Sequence, residues 1–305
     1  MLDVVTVGEV LVDMVSVDYV DDVAQAGAFE PHFGGSPANL ANNLRHLGVR
    51  AGLVATLGDD AMGGFLRKHL ETVGLPTDLV ATAERTPSTL ILVSKSRTDP
   101  KYEVYRGADM QLSWGQLERA LAQQPRILHT TCFGLSGLPA RSHILRAGRA
   151  FAKTGGTLSI DANYAEKVWP DRQRAQKVVR EWIGQGALVK VSELDWHRLF
   201  GETLMLDNCE RLASRWLELG ARLVCCTFGG DGAAVVSAEG TVRLTPKPVD
   251  IVDATGAGDS FWSGFLAAHL DGRDNETCLR VATEVAAVKL RQQGPLRAPL
   301  AWRDL

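Results

Sequence analysis

The chain has 305 residues, 36 acidic against 33 basic side chains, a formal net charge of −3 and 45% hydrophobic residues. That length allows a large core, while the slightly acidic balance gives no electrostatic reason to expect nucleic acid or an anionic membrane as partner. No apolar run reaches the roughly 18 residues of a membrane span, and the five cysteines show no C-x-x-C spacing. The cysteine pattern argues against a disulfide framework or zinc site and for the reduced, buried thiols of a cytoplasmic protein.

The opening "MLDVVTVGEVLVDMV" has acids inside its apolar run and no basic leader, so no signal peptide is expected. Val4–Val7 reads as a buried strand. Residues 10–35 then alternate like a half-exposed strand before turning Gly- and Ala-rich. In "FGGSPANLANNLRHLG" (33–48), Gly34 and Gly35 admit a close backbone approach, Pro37 suits a first helical turn and Asn39 can present an amide to hydroxyls. A plainer reading is a glycine turn with Ser36 as helix N-cap. Leu40–Leu47 and Phe65–Val73 have helical periodicity on either side of a strand at Leu53–Leu57. Residues 88–106 look like a hairpin turning at Arg97–Pro100.

Further strands are expected at Ile127–Thr130, Thr157–Ile160, Ala187–Val191 and Leu223–Cys226, with helices at Ile144–Phe151 and Cys209–Leu219 between them. Asp207 is the expected N-cap of the last helix and Gly220 its stop; the Pro-rich tail packs as a final connection. Apolar strands alternating with amphipathic helices predict an α/β fold: a Rossmann-like, mainly parallel sheet flanked by helices. The two off-rhythm segments, 10–35 and 88–106, form a small β lid inserted in a single domain spanning 1–305.

"DATGAGDSFWSG" (253–264) carries the sharpest chemical signal. Glycines leading into a helix N-terminus make an anion site, yet Asp259 places a negative charge within it. The stretch either closes a tight strand–helix turn, or holds a transferring phosphoryl group on the Gly256–Gly258 amides while Asp259 takes a proton from the acceptor.

Taken in order, these stretches resemble the PfkB/ribokinase family of carbohydrate kinases, over nearly the whole chain. Gly34, Gly35 and Asn39 match the family's G-G-x-x-x-N signature. Asp253, Thr255, Gly256, Ala257, Gly258 and Asp259 match D-T-x-G-A-G-D, with Ala254 in place of Thr. The resemblance implies a ribokinase-like fold and ATP-dependent phosphorylation of a sugar hydroxyl. It makes Gly256, Ala257 and Gly258 the anion hole and Asp259 the base. Asp13, Gly34, Gly35, Asn39, Arg106 and Asp259 would meet the sugar, with an exposed lid charge as the other reading of Arg106.

On the nucleotide side, Thr227, Gly229 and Gly232 of "TFGGDG" and Gly258 match family positions, and Asn163 stands in a D-P-N-x-R motif that has Ala162 and Ala165 here. Lys190 would serve the phosphates or lie on the surface. Asp195, in the place of the N-x-x-E glutamate, would hold Mg2+ through water. Asp253 and Thr255, with the loop at Gly294, occupy positions of a monovalent-cation (K+) site. Ser36 stands where the ribokinase branch has Lys, and "YRGADMQL" resembles the fructokinase-like branch. Fructose or a related ketose is the expected substrate, ahead of 2-keto-3-deoxygluconate and ribose or nucleosides; a catalytically silent sugar-binding protein is the alternative of another class. Apolar lid strands point to a homodimer.

Overall fold

The computed structural model describes residues 1–96, 101–292, 296 and 298–304. The main sheet contains β1 (Val4–Val7), β4 (Ala51–Gly58), β5 (Val80–Ala83), β8 (Ile127–Thr131), β9 (Thr157–Asp161), β10 (Leu188–Ser192), β11 (Leu223–Thr227), β12 (Ala233–Ser237) and β13 (Gly240–Leu244). Their spatial order is β13-β12-β11-β10-β9-β8-β1-β4-β5. All pairings from β5 to β11 are parallel, and β12 and β13 close one edge as antiparallel strands. A second sheet joins β2 (Leu11–Tyr19), β3 (Phe29–Gly34), β6 (Leu90–Lys95) and β7 (Tyr102–Tyr105) in the order β3-β2-β6-β7. The expected hairpin turn at 97–100 lies outside the described residues; its two arms, β6 and β7, pair antiparallel.

Both faces of the main sheet are covered, as the buried apolar strands require. Val5, Val54 and Val189 face a core shared with α3 (Trp114–Leu121), α4 (Ala140–Lys153), α5 (Arg172–Ile183), α6 (Glu193–Phe200) and α7 (Cys209–Glu218). Their neighbours Val4, Leu53 and Leu188 face α1 (Ser36–His46), α2 (Ala61–Thr72), α8 (Ala257–Leu270) and α9 (Asn275–Leu290). The period-2 alternation of each strand thus fills two cores at once.

The strands and helices stand where periodicity places them, shifted by at most a few residues. One cap differs: Asn208, not Asp207, precedes α7, and its side chain turns back to accept the Met205 amide at 2.9 Å. The tail packs on α1, with the Trp302 indole donating to the Leu47 carbonyl at 2.9 Å. The five cysteines are free and buried. Among the described residues, no helix is long and apolar enough to cross a membrane.

Candidate active site

From β1 the chain builds outward to β4 and β5, then returns to place β8 on the other side of β1 and continues to β9, β10 and β11. Such a reversal opens a crevice at the carboxyl ends of the strands, the usual ligand position in open α/β sheets. Its floor is polar. Glu9, just past β1 and 2% exposed, accepts a 2.7 Å hydrogen bond from the Thr131 hydroxyl at the end of β8. Burial pushes the Glu9 carboxyl up to about 8, outweighing the Thr131 hydrogen bond, so it is neutral at neutral pH.

The chain passes from Glu9 through β2 and β3 to Gly34 and Gly35. A Cβ on Gly34 would lie 2.4 Å from Asp13 Oδ2, and one on Gly35, at φ +117°, 2.5 Å from the Glu9 carbonyl. Gly35 therefore excludes a side chain, and one at Gly34 would push the Asp13 carboxyl aside. Asp13 on β2 faces this junction, and burial raises its carboxyl to about 6. Gly35 caps α1 without a side-chain hydrogen bond, so Ser36 is the first helical residue and not the N-cap. Its hydroxyl instead donates to Asp259 Oδ1 at 2.6 Å, and Asn39, one turn later, donates to Asp259 Oδ2 at 2.9 Å.

Asp259 occupies the first turn of α8, whose N-cap Gly256 has φ +74°. The first turn of a helix directs N–H groups outward and favours negative charge. Burial pushes the Asp259 carboxyl up to about 6, against the pull of the Ser36 and Asn39 donors. Beneath the same turn lies Lys190 of β10, only 5% exposed, which overturns the surface reading. Its ammonium bonds both oxygens of Asp161, on the adjacent strand β9, at 2.9 and 2.8 Å. A Cβ on Gly258 would come within 3.2 Å of Lys190 Nζ, so the ammonium lies directly against the helix start. Burial opposes this charge, but Asp161, Asp195 and Asp259 together hold the Lys190 pKa above its ordinary value.

The arrangement joins an acceptor for a proton, a helix N-terminus and a buried cation within one turn of α8. Chemically, it can take a proton from a hydroxyl while stabilising negative charge alongside.

Asn163 accepts the Cys132 amide at 3.1 Å and ties the ends of β8 and β9 together. Asp195 closes a capping box with Ser192 at the start of α6, its carboxyl raised to about 6 by burial. Among the described residues no group of three or more His, Cys, Asp or Glu could hold a metal ion directly. Thr227, Gly229 and Gly232 form the turn from β11 to β12, where a Cβ on Gly232 would meet the Leu244 carbonyl at 2.2 Å.

Arg106 is not an exposed lid charge: its side chain is 14% exposed, paired with Asp109, and stacked 4.3 Å over the Phe133 ring. It also donates to the Ser136 hydroxyl at 2.6 Å, and Arg141 donates to the Ser136 carbonyl at 3.0 Å. Asp253 and Thr255 lie just before α8. There the Lys289 ammonium, fully buried, donates to the Asp253 carbonyl at 2.7 Å and lies 3.1 Å from its Oδ2. Gly294 lies outside the described residues.

Sequence reasoning missed Glu9, Asp109, Asp161 and Lys289, and saw Ser36 only as a cap or a missing Lys. Asp161 and Lys190 did leave a signal. Each is a lone charge in an otherwise apolar central strand, "TLSID" and "LVKVS", where a buried charge requires a partner.

The sequence pattern of the pfkB family carbohydrate kinases matches residues 1–301. The chain belongs to this family. An ATP-dependent 6-phosphofructokinase of Thermoanaerobacterium thermosaccharolyticum is 35% identical over 294 residues, covering 96% of this chain and 89% of that protein. A probable fructokinase-4 of Arabidopsis thaliana is 30% identical over 306 residues, covering 97% and 93%. The structure of Halothermothrix orenii fructokinase superposes with a TM-score of 0.80 at 34% identity, covering 97% of this chain and all of that one. The fold is accordingly ribokinase-like, and the chain is a sugar kinase of the pfkB family.

Proposed function

We propose that this pfkB-family kinase transfers the γ-phosphate of ATP to a hydroxyl of fructose or a related ketose. The single observation that carries the reading is the Asp259 carboxylate, held by Ser36 and Asn39 at the same helix start against which Lys190 lies. Asp259 accepts the sugar hydroxyl proton, and the amides of Gly256, Ala257 and Gly258 with the Lys190 ammonium stabilise the phosphoryl charge. Asp13, Gly34, Gly35 and Asn39 meet the sugar beneath the small sheet, which acts as a lid. Thr227, Gly229, Gly232 and Asn163 border the nucleotide. Asp195 would hold, through water, a magnesium ion bound with ATP, which would supply positive charge against the phosphates.

Fructose 6-phosphate is the second substrate reading. Arg106 and Arg141 converge on Ser136, offering two guanidinium groups to a phosphate-bearing sugar, and one relative is a 6-phosphofructokinase. A coupled ADP-release assay over fructose, fructose 6-phosphate, 2-keto-3-deoxygluconate, ribose and nucleosides distinguishes these substrates. Binding without turnover for all of them rejects the kinase and leaves a sugar-binding protein. In Asp259→Asn, kcat is expected to fall by about 10²–10⁴, the usual contribution of a general base, with sugar binding kept. Near-wild-type kcat removes Asp259 from that role. Val17 and Tyr19 on β2 are exposed, which favours a homodimer paired through the lid; a monomer in sedimentation at assay concentration rejects it.

A further inference from the structure

The resemblance to carbohydrate kinases implied a monovalent-cation site around Asp253 and Thr255, but the Asp253 oxygens there are already engaged. Lys289 ends α9 with its side chain 0% exposed, and its ammonium takes the Asp253 carbonyl at 2.7 Å while lying 3.1 Å from Oδ2. The other carboxylate oxygen accepts the Thr255 amide at 2.9 Å, and the Val252 amide donates to the Leu290 carbonyl at 2.8 Å. Residues 252–255, which lead into the Gly256 cap of α8, are therefore fastened to the last turn of α9.

A carbonyl oxygen and a carboxylate oxygen are the ligands that a potassium ion would require. An ammonium in contact with both supplies the same single positive charge. A second cation on the same oxygens would lie close to the ammonium and be repelled by it. The two cannot share these atoms.

We infer that the Lys289 ammonium takes the place of the monovalent cation, so that this kinase carries a covalently attached +1 charge beneath the loop entering α8 and needs no potassium. Lys289 is a positioning residue: it touches neither reacting atom, but it fixes the carbonyl and carboxylate of the segment that presents the anion hole. A helix C-terminus is also where a cation is favoured by the dipole.

The test compares KCl, NaCl and tetramethylammonium chloride at equal ionic strength, reading both melting temperature and kcat. Wild-type protein is expected to give the same melting temperature and the same kcat in all three salts. A potassium-specific, saturable rise in either quantity for wild-type protein overturns the inference. Lys289→Gln and Lys289→Met are expected to lose turnover several-fold and to gain a potassium-specific rise in melting temperature, with partial recovery of kcat. A folded variant that responds alike to all three salts also overturns it, leaving Lys289 as an ordinary structural ion pair. The expected kcat effects rest on the kinase reading, but melting requires no turnover. Salt-indifferent melting of the wild type together with potassium-specific melting of the variants therefore supports the ammonium's role even if no sugar is phosphorylated.

Discussion

Ser36→Ala removes one of the two donors that face Asp259. The lost bond is a 2.6 Å hydroxyl-to-carboxylate contact made in a partly buried site. Hydrogen bonds to charged groups contribute about 1.5–3 kcal/mol, and one pKa unit corresponds to about 1.36 kcal/mol. The donor favours the ionised carboxylate, so its removal raises the pKa by roughly one to two units from the present value of about 6. A base must be unprotonated to act, so kcat/KM of the wild type rises with pH through about 6 and then levels off. In Ser36→Ala that limb moves to roughly pH 7–8, giving about a tenfold loss at pH 6.5 that largely disappears at pH 9. Ser36→Thr keeps a hydroxyl and keeps the limb in place. The assay is the pH dependence of kcat/KM for all three proteins under one buffer series. An unmoved limb in Ser36→Ala, with the rate lowered equally at every pH, refutes the proposed tuning of the base.

Two other outcomes follow from buried charge. Lys190→Met leaves Asp161 buried without its cation, a loss of about 3–5 kcal/mol where one partner of a buried pair is removed. Chemical denaturation measures that loss, which Asp161→Asn introduced together with it partly relieves; an unchanged midpoint in the single variant rejects the pairing. Glu9→Gln tests the neutral acid on the crevice floor. The Glu9 carboxyl is raised from 4.5 to about 8 by burial, so the folded protein holds a proton that the unfolded chain releases, and this group lowers stability as pH rises from 4.5 to 8. Gln carries no such penalty, so the variant gains about 3 kcal/mol relative to wild type between pH 5 and pH 8, on the order of 5 °C in melting temperature. A melting difference that stays constant over this range shows that Glu9 is ionised in the folded protein.

Much of the fold could be read from the residues because each strand carries its own evidence. Val4–Val7 and Leu223–Cys226 are short apolar runs that only a doubly covered sheet can bury, and the helices between them show their periodicity locally. The signatures around Gly34 and Gly256 pointed to the two ends of one pocket for the same reason. What stayed hidden depends on partners remote in sequence. Ser36 looks like an N-cap within its own helix, and only the position of Asp259, 223 residues away, turns its hydroxyl into a donor to that carboxylate. Lys289 stands in the last turn of α9, and nothing near it in sequence says that its ammonium meets Asp253. Arg106 had an exposed lid charge as its other reading because nothing in its own stretch shows that it binds both Asp109 and Ser136.

The hydrogen bonds of Asp259 to Ser36 and Asn39 also set a timetable for the protein's synthesis. The two donors emerge early, while the carboxylate follows them by 223 and 220 residues. At translation rates of about 5–20 residues per second, a growing chain passes roughly tens of seconds with both donors made and their acceptor still to come. Over that interval the side of α1 that packs on α8 lacks that cover. Burial of that surface and the pairing of Ser36 and Asn39 with Asp259 therefore arrive together, with the emergence of α8.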